Sequence, residues 1–499
     1  MVFNSLTFLL FFAVAGPLYY AVPKKQQNLF LLLASYVFYM WAMPQYGVLV
    51  LAATGISFLS ARAIEKQENP KKRKTLLTFS IALYLFILIF FKYFNFFAEV
   101  LSPASAGGAD KVMSIAMPLG ISFYMLQIIG YSVDVYRKSV RSERCFVDYA
   151  LFVSFFPQIL SGPIGRAGEL LPQLKRPRSF DYSMASEGAQ RFFFGLFKKV
   201  VVADGLAKIT DLIYSDPKTY HGELLVIAAV FFAVRIYCDF AGYTDMAVGA
   251  AKMLGINIRE NFAAPYFSTN FTLFWTRWHI SLSEWLRDYI YFPLGGSRKG
   301  FLRKLLNILI VFMISGLWHG STVNFIIWGL LQGIYRVGEE LLHAAVGKPR
   351  VLNNRFVQAA TNAFKMFSVF ALSAFSFIFF GAKTFTNVTA FFTNVGRSVN
   401  AADIIPTLYS FACSGISTDI RFAIAFFTLL LAAVALVAVS DFCIFRQRKR
   451  GKISLNFFAL LPTGARWVLY IAMSAIIVFF YLVVNTGGNS VGAFIYSGY

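Results

Sequence analysis

Residues Leu305–Gly333, LLNILIVFMISGLWHGSTVNFIIWGLLQG, decide how the chain is read. The apolar run over 305–317 would make a helix of about 20 Å, whereas the hydrocarbon core of a bilayer is about 30 Å thick. It stops at Trp318-His319-Gly320-Ser321, and a second apolar run follows over 322–342. Interrupted backbone at membrane depth survives only where protein or a water-filled cavity surrounds it. The expectation is therefore a broken helix, with His319 part-way down a pocket within the membrane.

The composition around this stretch carries the same message to both ends of the chain. Of 499 residues, 58% are hydrophobic, 18% aromatic and only 14% charged, against about 25% charged in a soluble domain. Mean hydropathy is +0.62, and 57 Phe with 25 Tyr are more than a soluble surface hides. A soluble enzyme, a disordered chain and a secreted disulfide scaffold are excluded; an all-α polytopic membrane protein remains. Further spans are expected over 3–22, 28–43, 46–64, 76–98, 113–135, 191–209, 224–251, 362–381, 422–445 and 466–485. No segment is long enough for a soluble domain, so 1–499 reads as a single membrane-embedded domain.

The formal net charge is +22, but the basic residues sit in short clusters between apolar runs, from Lys24-Lys25 through Arg298–Lys304 to Arg446–Lys452. That is the pattern of cytoplasmic loops, not a nucleic-acid-binding stripe, which needs its cations on one face. The polar stretch 382–420 carries few basic residues and is expected outside, as is the N-terminus, since Lys24-Lys25 follow the first apolar run and no signal peptide is evident. Segment 146–164 contains Pro157, Gly162 and Pro163 with basic loops on both sides, so it is expected to re-enter rather than cross. Four scattered cysteines without a CxxC pair imply neither a disulfide framework nor a metal site.

Polar residues within apolar runs are costly and point to function. His319 is the sharpest: imidazole takes and returns a proton near neutral pH, Trp318 can wall a pocket, and Gly320 lets a ligand approach the backbone. His279 lies in Phe271–Pro293, a stretch rich in Trp, Tyr and Arg, where Trp275, Trp278, His279, Leu282, Leu286 and Tyr289 recur at helical spacing. This predicts one amphipathic helix over 275–290 at the cytoplasmic interface, with Trp275, Trp278 and Trp285 packed inward. Arg277 or Arg287, and also Arg298, would bind donor phosphates, because the guanidinium fork suits them. Asp239 is placed to pair with Arg235 at i,i+4 or to orient a catalytic histidine, and Asp245 has no such neighbour. His221 and His343 read as solvated. No P-loop, GxSxG, HExxH or dinucleotide fingerprint is present, which disfavours an ATP-driven pump and a metalloprotease.

Four ordered strings then carry a resemblance: FFPQILSGPIGR (Phe155–Arg166), DFAGYTDMAVGAAKMLGI (Asp239–Ile256), FWTRWHISLSEWLRDYIYFPLGGSR (Phe274–Arg298) and SGLWHGSTVNFIIWGLLQG (Ser315–Gly333), extended by MPLGISFYMLQIIGYSVDVYR (Met117–Arg137). Together they resemble the membrane-bound O-acyltransferase family, and most of all its bacterial branch containing the alginate O-acetyltransferase membrane subunit. The motif core covers about 117–342. The resemblance implies a bundle of about eleven or more helices, with re-entrant segments around a central funnel. It implies His319 as the essential histidine; His279, the histidine of the second motif, is expected to be catalytic with it through donor positioning, and Trp318, Trp278, Asp239, Arg277 and Arg287 to bind substrate. It also implies a cytosolic acyl thioester as co-substrate (acetyl-CoA or an acyl carrier), no bound cofactor, and no metal. Implied partners are a polysaccharide acceptor and an extracytoplasmic protein of the SGNH-hydrolase type, at the bacterial inner membrane. A histidine often found about a dozen residues after the WHG motif in this branch is Gln332 here. The expected function is O-acyl transfer, O-acetyl foremost. The alternatives are D-alanyl transfer to teichoic acid and a polysaccharide transporter, which would show paired interrupted helices in both halves.

Overall fold

The computed structural model describes residues 1–101, 115–347, 354–397, 406–407, 409, 419–449 and 457–486. The described residues form helices and no strands, as expected where every backbone N–H and C=O must be satisfied without water. Among the described residues seven helices are long and apolar enough to cross a bilayer: Pro44–Lys66, Pro70–Asn95, Gly222–Met253, Phe301–His319, Arg355–Gly381, Ile420–Arg448 and Thr463–Val483. Their outer faces leave Val48, Phe86, Phe367, Val468 and Ile471 exposed, apolar surface that suits lipid. Helix starts carry local caps. The Ser5 side chain accepts from the Phe8 N–H at 3.1 Å, and Asn354 accepts from the Phe356 N–H at 2.9 Å, satisfying donors that the first turn leaves open. Of the polar stretch 382–420, the helix Phe385–Val395 is described; much of the remainder lies outside the described residues.

The chain divides into two units. The first comprises Met1–Phe192 and Ala247–Glu260. Here the 146–164 segment is two short helices, Phe146–Ser154 and Phe156–Ile159, followed by Ala167–Leu174. The side-chain amide of Asn28 donates to Asp148 at 2.7 Å and to the carbonyl of Leu174 at 2.8 Å, and Lys175 pairs with Glu143 at 2.7 Å. The chain thus enters near residue 145 and comes back to the same level by residue 175. That return is the course that re-entry, read from the prolines and the flanking charge, requires.

The second unit comprises Phe193–Met246 and Asn261–Tyr499. It holds an antiparallel hairpin of Phe301–His319 and Val323–Val346. The expected short helix over 305–317 is corrected. The helix has 19 residues, because its first turn recruits Phe301–Lys304, too polar to count as apolar run, and its last turn includes Trp318-His319. His319 is therefore the last residue of a full-length helix at the hairpin tip, not a break within one. The two helices touch through small residues: a Cβ on Gly316 would strike the carbonyl oxygen of Phe325, and one on Gly329 would lie 2.5 Å from the carbonyl oxygen of Phe312. Small residues let membrane helices close on each other where hydrophobicity cannot drive association. At the other end, Lys304 pairs with Glu340 at 2.5 Å, and Arg336 with Glu339 at 2.6 Å and Glu340 at 2.9 Å.

Gly329→Ala is expected to destabilise the folded protein by about 1–3 kcal/mol, the cost of overpacking a closed interface, whereas Gly338→Ala, with open space around it, is expected to be neutral. Thermal unfolding in detergent compares the two; equal midpoints would show that the hairpin contact is slack.

Candidate active site

The hairpin tip buries His319 in a cage of rings. Its imidazole lies 4.8 Å between centroids from Trp318, 4.9 Å from Trp328 and 5.4 Å from Phe380, and only 4% of the residue is exposed. Trp328 is brought in by the helix that returns from the tip. Phe380 comes from the end of Arg355–Gly381, held beside the tip by Asn324 donating to the carbonyl of Ala382 at 2.8 Å. Gly320, extended at φ −166°, runs directly under the ring of Phe325, so no side chain fits there.

The second histidine reaches the same neighbourhood by a different route. The single helix expected over 275–290 is corrected: the chain forms Phe271–Trp275, then Ile280–Leu286, then a wide π-helical turn over Arg287–Tyr291. The break is His279, at φ +41°, a left-handed conformation that non-glycine residues rarely adopt. Tertiary hydrogen bonds outweigh the helical periodicity here. The Ile280 N–H donates to the Asn261 carbonyl at 3.0 Å, the Ser281 N–H to Asn261 Oδ1 at 3.2 Å, and the Ala263 N–H to the Arg277 carbonyl at 3.0 Å. The turned imidazole packs edge-on against Phe240 at 4.7 Å and lies 6.0 Å from Trp318. Burial among these rings keeps His279 neutral, its pKa pushed down to about 3. Trp318 thus stands between the two histidines.

Asp239 precedes Phe240 on Gly222–Met253, and its expected pairing with Arg235 is corrected. Arg235 turns to Asp211 and Thr210, while Asp239 pairs with Lys199 at 2.6 Å, and Lys199 also holds Asp204 at 2.8 Å. Asp245, expected to lack a partner, pairs with Lys198 at 2.9 Å. Both lysines lie on a π-helical turn, Lys198–Ala203, inside the apolar run 191–209. Two lysines in such a run are a readable signal that sequence reasoning passed over. Of the other candidates, Trp278 is packed among Phe262, Phe274 and Phe377 at 5.2, 5.4 and 5.3 Å. Arg277 donates to the Phe267 carbonyl at 2.9 Å with its guanidinium over Phe445. Both residues brace the fold through these contacts. His343 is exposed and His221 partly so.

Arg287 lines a cavity of about 400 Å³, together with Trp275, Ser283, Lys304, Phe312 and Arg336, among others. Its lining includes Lys304, Arg336 and Glu340 at the charged feet of the hairpin and also Trp275, which lies 5.0 Å from Phe312 and 6.1 Å from Trp328. Trp328 in turn touches His319, so the sequence from cavity to histidine is Trp275, Trp328, His319. Lys304, Arg336 and Trp328 were not among the sequence candidates, since nothing local marks them. Among the described residues no group of His, Cys, Asp and Glu is arranged to hold a metal ion.

A helical membrane protein with a buried histidine joined through two tryptophan rings to a cavity of this size has the parts of a membrane-embedded transferase. Residues 135–382 match the membrane-bound O-acyltransferase family. The chain is 38% identical over 366 residues to a protein named "Probable alginate O-acetylase" from Azotobacter vinelandii, covering 72% of each. It is 35% identical over 367 residues to a peptidoglycan O-acetyltransferase of Helicobacter pylori, covering 67% of this chain and 69% of that one. A teichoic acid D-alanyltransferase of Bacillus subtilis is 30% identical over 227 residues, 43% of this chain and 57% of that one. The chain belongs to the membrane-bound O-acyltransferase family: it is a multi-pass membrane O-acyltransferase that uses an acyl donor as co-substrate, and the transporter reading falls.

His279 gives a pH signature. Its folded pKa lies below the ordinary 6.5, so between about pH 3 and 6.5 the unfolded chain binds the extra proton, and stability falls as pH falls through that window, by up to about 1.4 kcal/mol per pH unit from this residue. His279→Gln should flatten the acid limb of stability against pH in detergent; an unchanged slope would show that His279 does not titrate this way.

Proposed function

We propose that the protein moves an acetyl group from a cytosolic thioester to an extracytoplasmic hydroxyl, in the O-acetylation of a polysaccharide at the bacterial inner membrane, with His319 as general base. The observation that carries this reading is the placement of His319, buried at the tip of a full-length hairpin whose charged feet frame the cavity. On this reading the basic feet are cytosolic and the cavity receives the thioester. The tip then lies toward the outer face, where the acceptor is a sugar or a serine of an SGNH-type partner. Acetyl is favoured over D-alanyl because the relatives named for O-acetylation match about seven-tenths of the chain, and the D-alanyltransferase less than half.

The chemistry asks little beyond a base. A neutral hydroxyl is a weak nucleophile, so the imidazole of His319 takes its proton as the oxygen bonds to the thioester carbon. The carbon–sulfur bond breaks, and the imidazolium returns the proton to the departing sulfur, giving a thiol. Trp318, Trp328 and Phe380 exclude water, which would otherwise hydrolyse the thioester. His279 does not touch this cycle directly; it fixes Trp318. Arg287, at the cavity wall and half-exposed, contributes to donor binding, while Arg277, Trp278 and Asp239 support the walls.

His319→Ala should lower kcat for thiol release and acyl transfer by about 10²–10⁴-fold, with donor KM little changed and the protein still folded in the membrane. Near-normal transfer by that variant would sink the base assignment. Arg287→Ala should raise donor KM several-fold at unchanged kcat; a loss of folded protein with unchanged KM would make Arg287 structural. Supplying an aminoacyl carrier protein in place of acetyl-CoA, and finding it the better donor, would turn the reading to D-alanyl transfer.

A further inference from the structure

Between the cavity and His319, one helix face carries buried polar atoms that the protein does not use. Trp328 and Gln332 lie at i and i+4 on Val323–Val346, one above the other, and both are almost fully buried. The Gln332 amide donates through Nε2 to Ser376 Oγ at 2.7 Å, and the Ser376 hydroxyl donates to the Ser373 carbonyl at 2.7 Å. A hydroxyl whose proton is committed can only accept, so the NH₂ of Gln332 must face Ser376 and its carbonyl oxygen must face elsewhere. That oxygen is buried with no hydrogen-bond partner among the described residues. The indole N–H groups of Trp328 and Trp275 are in the same condition, and an indole nitrogen can only donate. Leaving such groups unpaired is costly, which makes each a ligand-facing group in waiting.

An acceptor and a donor one helical turn apart, about 6 Å, are the complement of a secondary amide, whose N–H would reach Gln332 and whose C=O would reach an indole N–H. The geometry points to Gln332, with Trp328, as the recognition site for an amide in the arm of the acyl thioester, gripped between the cavity and His319. This rests on the thioester-donor reading above. It adds that the donor's arm bears an amide close to sulfur and that Gln332 selects for it. The same arm is found on free coenzyme A and on a carrier protein, and competition by each separates those sources.

The test is binding by the purified full-length chain in detergent. The probes are the unreactive 2-oxopropyl thioether of pantetheine and its analogue in which the N–H of the sulfur-proximal amide is replaced by an ester oxygen. The wild-type chain should bind the amide probe about tenfold more tightly than the ester. In Gln332→Leu the gap should collapse towards onefold. Ser376→Ala, which releases the orientation of the glutamine amide, should narrow it as well, and because a ratio is read, partial loss of folded protein does not matter. Displacement of the amide probe by coenzyme A or by a holo carrier protein supports the inference and identifies the source. An equal gap in wild type and Gln332→Leu, or no gap in wild type, overturns the inference alone. A folded wild-type chain that binds neither probe overturns the thioester-donor reading, and the inference with it.

Discussion

The close approach of Gly316 and Gly329 is the constraint on which the rest of this site depends. Without side chains at those positions, the backbones of Phe301–His319 and Val323–Val346 come within contact of each other's carbonyls. That fixes the register of the hairpin, and the register decides which residues of the returning helix stand beside His319. A shift of one turn would replace Trp328 by Asn324 or Gln332 and place a polar amide against the imidazole. The same hairpin sets Lys304 against Glu340 at its feet, so one interface positions the histidine, its aromatic wall and the charged rim of the cavity.

Behind this site lies an ionic layer that apolar packing alone does not require. Lys198 and Lys199 face Asp245, Asp239 and Asp204, and Tyr237 donates to Asp441 at 2.7 Å. Removing one partner of a buried pair costs about 3–5 kcal/mol, because the remaining charge is stranded, although the intact pair adds little net stability. Such a layer specifies which helices may neighbour one another. Asp441 belongs to Ile420–Lys449, beyond the family-matched residues, and its bond to Tyr237 ties that helix to Gly222–Met253. Asp239 sits next to Phe240, the ring against which His279 rests. The ionic layer and the second histidine are thus joined through adjacent residues of one helix.

The fold was legible because length and apolarity are strong signals: almost every expected span has a helix within a few residues of it. The interrupted, returning course of 146–164 was legible from Pro157, Gly162 and its flanking charges. His319 was found for a reason that proved only half right. The helix before it is not short; two basic residues in its first turn hid its true length from a count of apolar residues, and a lysine or arginine at a helix end can reach the interface without ending the helix. His279 was placed on a continuous helix because its neighbours follow helical periodicity. Periodicity cannot report a left-handed residue imposed by Asn261, 18 positions earlier in the chain. The partners of Asp239 and Asp245 were missed for the same reason: i,i+4 spacing proposes local partners, and both carboxylates chose lysines from another helix. The cavity was invisible, since Lys304, Arg336 and Trp275 converge only through the hairpin.

The rings around His319 bear on a choice that any acyltransferase faces. A thioester beside a histidine is as open to water as to an alcohol, and water is present at about 55 M wherever it can enter. The base cannot discriminate between the two, because it deprotonates either nucleophile; only access can. Trp318, Trp328 and Phe380 close the space around the imidazole within 4.8 to 5.4 Å, and the rings of Trp275 and Phe312 meet in the cavity wall. On the proposed reading the thioester must pass Trp275 and Trp328 to reach the histidine, and its own arm then fills the route behind it. A donor that seals its own entrance leaves the acceptor side as the one remaining approach to the acyl carbon. The tight aromatic enclosure, which at first sight obstructs catalysis, is then the feature that makes transfer to a hydroxyl outrun hydrolysis.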